Sequence, residues 1–344
     1  MNTRLFSAMT RTLPRRVFSK LFHSNLKRFA IALAYFLMWV LPTVIFPIFL
    51  LVIFLFPPSA AVIIPYLIFC WWDRDTPHNM GRPSRAFRNL SIWRYGSNYF
   101  PVKLVKTVEL EPSKNYLFCA HPHGLICNGV AYSFGSNIQR SERLFPGLNF
   151  RILTFDTTFK FPVLREYALL MGLCSASRRS MNNILGSEKK GNVAILMPGG
   201  APEVLDAHPN AYVLQLCNKK GFIKVALENG SPLVPVFSFG ENEIHSQYPN
   251  PKGSILRTVQ EFIQSWIGIP PAVWYGTGFV IDFGPFPYAK PITVVVGAPI
   301  HVPKIENPTT KEIDELHSIY IDAITDLYYA HKDKYIPKST LTIV

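Results

Sequence analysis

Charged residues are missing from one long stretch of this sequence. From Ala30 to Trp72 there is no Asp, Glu, Lys or Arg, and soluble domains rarely contain so long an uncharged, mostly apolar run. We therefore predict a membrane-embedded segment over residues 30–72, divided at Pro47 or at Pro57-Pro58. It would form a helical hairpin or one long tilted pass. Basic residues on both flanks favour a hairpin that enters and leaves on the cytosolic face.

Acidic residues are likewise missing from residues 1–29, where every charged side chain is basic. Such a leader has the composition of a transit peptide, but the long apolar run behind it favours a cytosolic flank held by anionic lipid. The whole chain has a formal net charge of +13, and its basic residues form no stripe interleaved with aromatics. This distribution argues against nucleic acid and favours a lipid headgroup surface and a phosphorylated substrate.

Several catalytic signatures are also missing. The sequence contains no Walker-type loop, no dinucleotide fingerprint and no Gly-x-Ser-x-Gly elbow, so nucleotide hydrolysis, hydride transfer and serine hydrolysis lose support. The cysteines contain no Cys-x-x-Cys pair, and we expect reduced, mostly buried thiols rather than a disulfide framework. They are Cys70, Cys119, Cys127, Cys174 and Cys217.

From Asp73 onward the pattern predicts one α/β domain over residues 73–344. Strands separated by helices form a mostly parallel sheet with helices on both faces, and we expect this architecture behind the membrane hairpin. The predicted strands are Tyr116–Ala120, Val193–Met197, Leu233–Phe239 and Ile292–Val296. The predicted helices are Phe161–Met171, Phe222–Asn229 and one that begins at a capping box of Thr309 and Glu312.

Two histidines directly follow the first predicted strand, in the sequence His121-Pro122-His123-Gly124. The carboxyl end of a strand is where open α/β sheets place their chemistry, and histidine is suited to accept a proton near neutral pH. A metal pair or two simply hydrogen-bonded histidines are the alternatives. No second histidine pair has ligand spacing, so we predict a general base, either His121 or His123, and no metal.

Glycines and acids follow two further strands. Gly199 and Gly200 could direct backbone N–H groups at a developing oxyanion, and Glu203 comes shortly after them. Gly240 and Glu241 follow the next strand in the same way. A tight turn with a surface glutamate is the alternative for the stretch that contains Gly199, Gly200 and Glu203.

Basic residues near these strands are candidates for binding a nucleotide-bearing donor through its phosphates. A solvated, charged face is the alternative. The candidates are Arg178, Arg179, Lys220 and Lys224.

Five motifs in this order resemble the type-2 diacylglycerol acyltransferase family, which includes monoacylglycerol and wax-alcohol acyltransferases. They are Tyr99-Phe100-Pro101, His121-Pro122-His123-Gly124, Pro198-Gly199-Gly200-Ala201-Pro202-Glu203, the block from Lys220-Gly221-Phe222 to Phe239-Gly240-Glu241, and Val296-Gly297-Ala298-Pro299-Ile300. The family's neutral-lipid motif, Phe-Leu-x-Leu, is represented only by Phe49-Leu50-Leu51-Val52.

A second departure concerns the acid that orients the histidine. Related glycerolipid acyltransferases use His-x4-Asp, but Ile126 and Asn128 stand at the corresponding positions after His121 and His123. We therefore expect Glu203 to supply that acid.

The resemblance implies a glycerolipid-acyltransferase-like fold and an enzyme of the endoplasmic reticulum membrane and lipid droplet, with its catalytic domain in the cytosol. It would move a fatty acyl group from acyl-CoA, a substrate rather than a cofactor, to diacylglycerol. One histidine would act as the base, and Gly124 or Gly199 and Gly200 would hold the oxyanion. Tyr99, Phe100, Pro101, the four basic candidates and Glu241 would contact substrate.

No acyl-enzyme is required, although Cys119 and Cys127 keep that route open. Monoacylglycerol and long-chain alcohols are the alternative acceptors. A non-catalytic lipid-droplet protein and a metallohydrolase of lipid esters are the alternatives from other classes. A homo-oligomer is left open.

Overall fold

The computed structural model describes residues 48, 51–52, 54–268, 270–278 and 283–344. The predicted leader and about half of the predicted hairpin lie outside this set. Within these ranges, no helix combines the length and the hydrophobicity that crossing a bilayer requires. The hairpin and the boundaries at residues 29 and 72 therefore stay predictions.

The described chain alternates strands and helices. The strands are β1 (Lys103–Lys106), β2 (Tyr116–His121), β3 (Asn149–Thr154), β4 (Leu173–Ser175), β5 (Asn192–Leu196), β6 (Ala211–Leu214), β7 (Leu233–Phe239), β8 (Ser246–Gln247), β9 (Trp274–Tyr275), β10 (Thr293–Val296) and β11 (Thr340–Ile343). The helices are α1 (Ala60–Trp72), α2 (Arg85–Arg88), α3 (Ile92–Tyr99), α4 (Asn128–Val130), α5 (Ser141–Leu144), α6 (Leu164–Met171), α7 (Arg178–Leu185), α8 (Ala201–Leu205), α9 (Gly221–Asn229), α10 (Ile255–Ile267) and α11 (Thr310–Tyr335).

Seven of the described strands form one sheet in the order β1-β10-β7-β2-β5-β3-β4. Strand β10 runs antiparallel to β7, and the other neighbouring pairs are parallel. The predicted mixed α/β architecture with a mostly parallel sheet is confirmed. Strand β2 lies between β7 and β5, so the loops after these three strands leave the sheet side by side at one edge.

Side chains of β2 alternate between two apolar cores, one on each face of the sheet. Leu117 and Cys119 belong to the core that also contains residues of α7, α9 and α11. Tyr116, Phe118 and Ala120 belong to the opposite core, which includes residues of α3 and α4. Helices therefore cover both faces. By the period of two residues along a strand, His121 faces the α11 side.

Helix α11 begins at the predicted capping box. Thr309 Oγ1 accepts from the Glu312 N–H at 3.3 Å, and Glu312 Oε2 accepts from the Thr309 N–H at 2.7 Å. Each side chain satisfies a backbone donor that the first helical turn leaves unpaired.

Most predicted boundaries agree with the structure to within a residue or two, and β7 matches at both ends. Helix α6 differs more, because it begins at Leu164 instead of Phe161. Val163, directly before it, has a φ of 69° and its N–H donates to the Tyr66 hydroxyl of α1 at 2.9 Å. A positive φ is incompatible with a right-handed helix, so the helix begins after Val163.

Candidate active site

Three loops meet at the carboxyl edge of the sheet. At this edge His121 ends β2 and His123 follows it, Glu203 lies on α8 shortly after β5, and Glu241 follows β7. Glu203 Oε2 accepts from the His123 N–H at 2.8 Å, and Glu241 Oε1 accepts from the Asn128 N–H at 2.7 Å. Residues far apart in sequence are thus joined through the loop after β2.

His121 is the inner histidine. Its side chain is fully buried, and Nε2 lies 2.9 Å from the hydroxyl of Tyr320 on α11. Nδ1 has no hydrogen-bond partner in the described structure and lies 3.8 Å from Glu203 Oε1. Helix α11 thus anchors the ring at one nitrogen, and a negative charge faces the other.

His123 is the outer histidine and is only partly buried. Its Nδ1 lies 3.0 Å from the carbonyl oxygen of Gly124. Because a carbonyl oxygen only accepts, Nδ1 must carry the proton, and the neutral ring keeps its lone pair on Nε2. Burial lowers the pKa of His123, while the Gly124 carbonyl and the charge of Glu203 oppose that change. The ring is therefore neutral near pH 7, in the tautomer that a base using Nε2 requires.

Glu203 forms hydrogen bonds with two segments, the one after β2 and the one after β6. It is 2% exposed, and its Oε1 accepts from the Gln215 N–H at 3.0 Å while Oε2 accepts from the His123 N–H. Glu203 therefore contacts the backbone of His123 and places its carboxylate 3.8 Å from His121 Nδ1, and its predicted orienting role stays a prediction. It makes no hydrogen bond to either ring.

Glu241 lies inside the protein beneath the same loop and is 2% exposed, and its predicted contact with substrate stays a prediction. Its carboxylate accepts from the N–H groups of Asn128 and Gly129, each at 2.7 Å, where α4 begins. Burial raises the pKa of Glu241 to about 7, against the effect of these two donors. Gly124 has a φ of 58°, and a Cβ there would lie 2.6 Å from Glu241 Cγ. Only glycine lets the histidine loop pack onto this carboxylate.

The two glycines after β5 differ in what their backbone can offer. Gly200 has a φ of 58° and a ψ of −148°, a conformation essentially restricted to glycine, and its N–H donates to the Met197 carbonyl at 3.1 Å. That donor is used within the turn. Gly199 lies against the Glu203 carboxylate so closely that no side chain would fit. The oxyanion role of Gly124, Gly199 and Gly200 stays a prediction.

An apolar cavity of about 250 Å³ opens beside His123. Its walls come from the histidine loop, from β3, from the turn after β5 and from α6. The residues around it are mostly apolar; among them are Ile126, Val130, Phe155, Ala168 and Met171. A smaller cavity of about 60 Å³ shares His123, Phe155 and Met197 with it and reaches Gly200. His123 and an apolar cavity therefore adjoin.

A protein-family model described as diacylglycerol acyltransferase matches residues 52–344. The chain belongs to this family. The predicted resemblance is therefore confirmed, and the chain is an acyltransferase of lipid synthesis.

Two relatives of this chain are named for different acceptors. The chain is 43% identical to 2-acylglycerol O-acyltransferase 1 of Bos taurus over 81% of this chain and 84% of that protein. It is 42% identical to diacylglycerol O-acyltransferase 2 of Xenopus laevis over 79% of this chain and 76% of that protein. The crystal structure of the 1-acyl-sn-glycerophosphate acyltransferase PlsC from Thermotoga maritima shares 14% identity, with a TM-score of 0.39, and covers 83% of this chain and 98% of that one.

The remaining predicted contact residues of this acyltransferase do not line the two cavities at His123. Tyr99 donates its hydroxyl to the Pro287 carbonyl at 2.6 Å, and Phe100 is 1% exposed in the apolar core beside Tyr132. Pro101 is exposed at the surface, between Phe100 and β1. Tyr99 and Phe100 thus stabilise the packing at the end of α3.

The basic candidates lie on the surface, and three of them form ion pairs. Arg178 pairs with Glu228, Arg179 with Asp75 at 2.9 Å, and Lys220 with Asp314 at 2.7 Å. Lys224 is exposed on α9. Their role in binding the donor stays a prediction.

Two features of the site were missed from the sequence. Tyr320, which contacts His121, was not predicted as a site residue. Helix α6 was predicted only as a helix, although its Ala168 and Met171 line the cavity. The apolar period of each helix indicated burial, but a period cannot say which buried position faces a ligand. Among the described residues, no three His, Cys, Asp or Glu side chains are grouped to hold a metal ion.

Proposed function

We propose that this chain transfers a fatty acyl group from acyl-CoA to diacylglycerol, with His123 as the general base. The observation that carries this proposal is the position of His123, whose unprotonated Nε2 belongs to a ring at the wall of an apolar cavity. The cavity would take the acyl chain, and Nε2 would take the proton of the attacking hydroxyl.

The reaction balances with the residues at this edge of the sheet. The acceptor oxygen gives its proton to His123 Nε2 and attacks the thioester carbonyl, which becomes an oxyanion held by the N–H groups of Gly124 or Gly199. The C–S bond then breaks, CoA leaves as a thiolate, and the imidazolium returns the proton to it. The new ester is the product.

Two features favour direct transfer over an acyl-enzyme. Burial raises the pKa of both Cys119 and Cys127, so neither thiol ionises readily. The Cys127 thiol donates to the His123 carbonyl at 2.9 Å instead of facing a base. His121 is also less suited to be the base, because it is fully buried and its Nε2 is occupied by Tyr320.

Monoacylglycerol is the second candidate acceptor. It is favoured by the 43% identity to a 2-acylglycerol acyltransferase, which equals the match to a diacylglycerol acyltransferase within one percentage point. The choice between acceptors depends on pocket shape around the hydroxyl.

The test is acyl transfer by membranes that contain the full chain, with labelled acyl-CoA and, separately, diacylglycerol, monoacylglycerol or a long-chain alcohol. His123→Ala should lose activity by about 10²–10⁴-fold, the usual contribution of a general base. His301→Ala is the matched control, since His301 is exposed at the surface. The preferred acceptor identifies the substrate.

Equal ester formation by His123→Ala and the unaltered chain would exclude His123 as the base. If the unaltered chain formed no ester with any acceptor, while a known acyltransferase worked in the same membranes, a non-catalytic lipid-binding role would replace the proposal.

A further inference from the structure

Helix α10 presents its apolar side to the outside of the protein. Ile255, Val259, Phe262 and Trp266 are 87%, 48%, 61% and 79% exposed. Their spacings of four, three and four residues place them in one stripe along the helix. In a helix that simply covers a soluble core, this stripe would face inward.

The polar side of α10 is the buried one. Arg257 is 4% exposed, and its guanidinium donates to Asp206 Oδ1 at 2.7 Å and to the Leu205 carbonyl at 3.2 Å. Gln260 is 2% exposed; it donates to the Pro271 carbonyl at 3.1 Å and accepts from Asn250 at 2.9 Å. These satisfied polar contacts fix the rotation of the helix. Turning the apolar stripe inward would break all of them.

The exposed apolar surface continues beyond the helix onto the β8–β9 region. Tyr248, Val273 and Phe283 are 48%, 42% and 55% exposed. The ring of Tyr275 lies 5.3 Å from that of Tyr248 and 5.5 Å from that of Phe283. The bond from Gln260 to Pro271 ties this region to α10. In the sequence, no charged residue occurs from Phe262 to Ile281.

We propose that α10 and the β8–β9 region form a lipid-contacting surface, which lies in the interface of a bilayer in addition to the contact predicted for residues 30–72. The occupant is lipid, and the contact side is the stripe of Ile255, Val259, Phe262 and Trp266.

The composition of the surface favours lipid over a protein partner. Trp and Tyr are enriched where a membrane meets water, and Trp266, Trp274, Tyr248 and Tyr275 occur together here. A protein interface normally has a polar rim, whereas residues 262–281 contain no charged side chain. The chain's net charge of +13, with the exposed Lys252 just before α10, suits an anionic leaflet.

The surface also has a use in the reaction. An acceptor that is a neutral lipid is dissolved in the bilayer. A second contact would hold the predicted cytosol-facing domain against the bilayer that contains this acceptor. This step rests on the proposed function, whereas the geometry of α10 does not.

The test places an environment-sensitive fluorophore on the stripe. The full chain is purified in a Cys217→Ser background, because Cys217 is the exposed cysteine, and carries Phe262→Cys or Trp266→Cys for labelling with NBD. The matched control is Ile319→Cys, a 52% exposed apolar position on α11. The chain without an introduced cysteine measures background label on the others. Each sample is reconstituted in vesicles of phosphatidylcholine and phosphatidylserine.

We expect the emission at positions 262 and 266 to shift to shorter wavelength and to lose most of its intensity when the vesicles contain nitroxide-labelled lipid. The label at position 319 should keep a water-like spectrum and its intensity. A water-like, unquenched signal at 262 and 266 would overturn the proposal. A shifted signal that lipid nitroxides do not quench would also overturn it, in favour of a second copy or another protein segment. No turnover is needed, so the outcome is independent of the proposed reaction.

Discussion

Replacing Glu203 by Gln tests how the site holds its base. The substitution keeps the size of the side chain and removes its charge. Glu203 accepts from the N–H groups of His123 and Gln215 at 2.8 and 3.0 Å, and an amide can accept from only one of them. The other N–H then faces an NH2 group in a buried place.

The expected magnitude follows from that lost bond. A hydrogen bond to a charged group contributes about 1.5–3 kcal/mol, and we expect a loss of unfolding free energy in this range. If the loss falls on the His123 bond, the base is misplaced, and the same energy in the transition state lowers kcat by about 10- to 150-fold.

The pH dependence separates a charge effect from a merely structural one. Glu203 raises the pKa of His123 against the larger lowering by burial. Removing the carboxylate charge should lower that pKa further, so the acidic limb of the kcat profile should move to lower pH. Misplacement alone would reduce kcat at every pH and leave the limb where it is.

The assay is the rate of labelled ester formation in mixed micelles from pH 4.5 to 8, with thermal unfolding measured on the same samples. Glu243→Gln is the matched control, because Glu243 also accepts a backbone N–H, that of Asn210 at 2.7 Å, away from the histidines. An unchanged kcat and an unmoved acidic limb in Glu203→Gln would refute the role assigned to this residue.

Three further predictions concern the surroundings of the base. Tyr320→Phe removes the hydroxyl bonded to His121 Nε2 and leaves a buried ring without a partner; unfolding free energy should fall by about 1–3 kcal/mol in thermal or denaturant titrations, and an unchanged value would contradict the anchoring role. Ala168→Phe fills part of the 250 Å³ cavity, so kcat/KM should fall for long acyl-CoA and be retained for short acyl-CoA, whereas an equal fall for both would place the chain elsewhere. Glu241 has a pKa of about 7 when folded and an ordinary pKa of about 4.3 when unfolded, so its contribution to stability is fully present below pH 4.3 and is lost as pH rises through 7. In Glu241→Gln, the unfolding free energy should therefore depend less on pH over this range. An identical pH dependence in the variant would exclude Glu241 as its source.

The sequence by itself determined the class of fold and the family. Apolar runs such as Leu233–Phe239 and the capping box at Thr309 are local signals, because burial period and helix capping depend on neighbouring residues. The motif His121-Pro122-His123-Gly124 also placed two imidazoles at the end of a strand without any tertiary information. These features were confirmed with small changes at the boundaries.

The pairing of loops was decided by the tertiary structure. Strand order puts β2 between β7 and β5, and only then do Glu241 and Glu203 reach the histidine loop from opposite sides. Both were proposed as site residues from the sequence. That Glu203 would bind a backbone N–H, and Glu241 the start of α4, depends on distances that no spacing encodes.

The same limit applies to the two histidines and to α10. The two histidines are only two residues apart in the sequence, yet His121, at the end of β2, contacts Tyr320, whereas His123, in the turn after the strand, lies at a cavity. The pattern of α10 shows that the helix has an apolar and a polar side. The contacts of Arg257 and Gln260 decide which side faces the protein. The periodicity of the sequence predicts only that the two sides of the helix differ, and the packing determines which of them is buried.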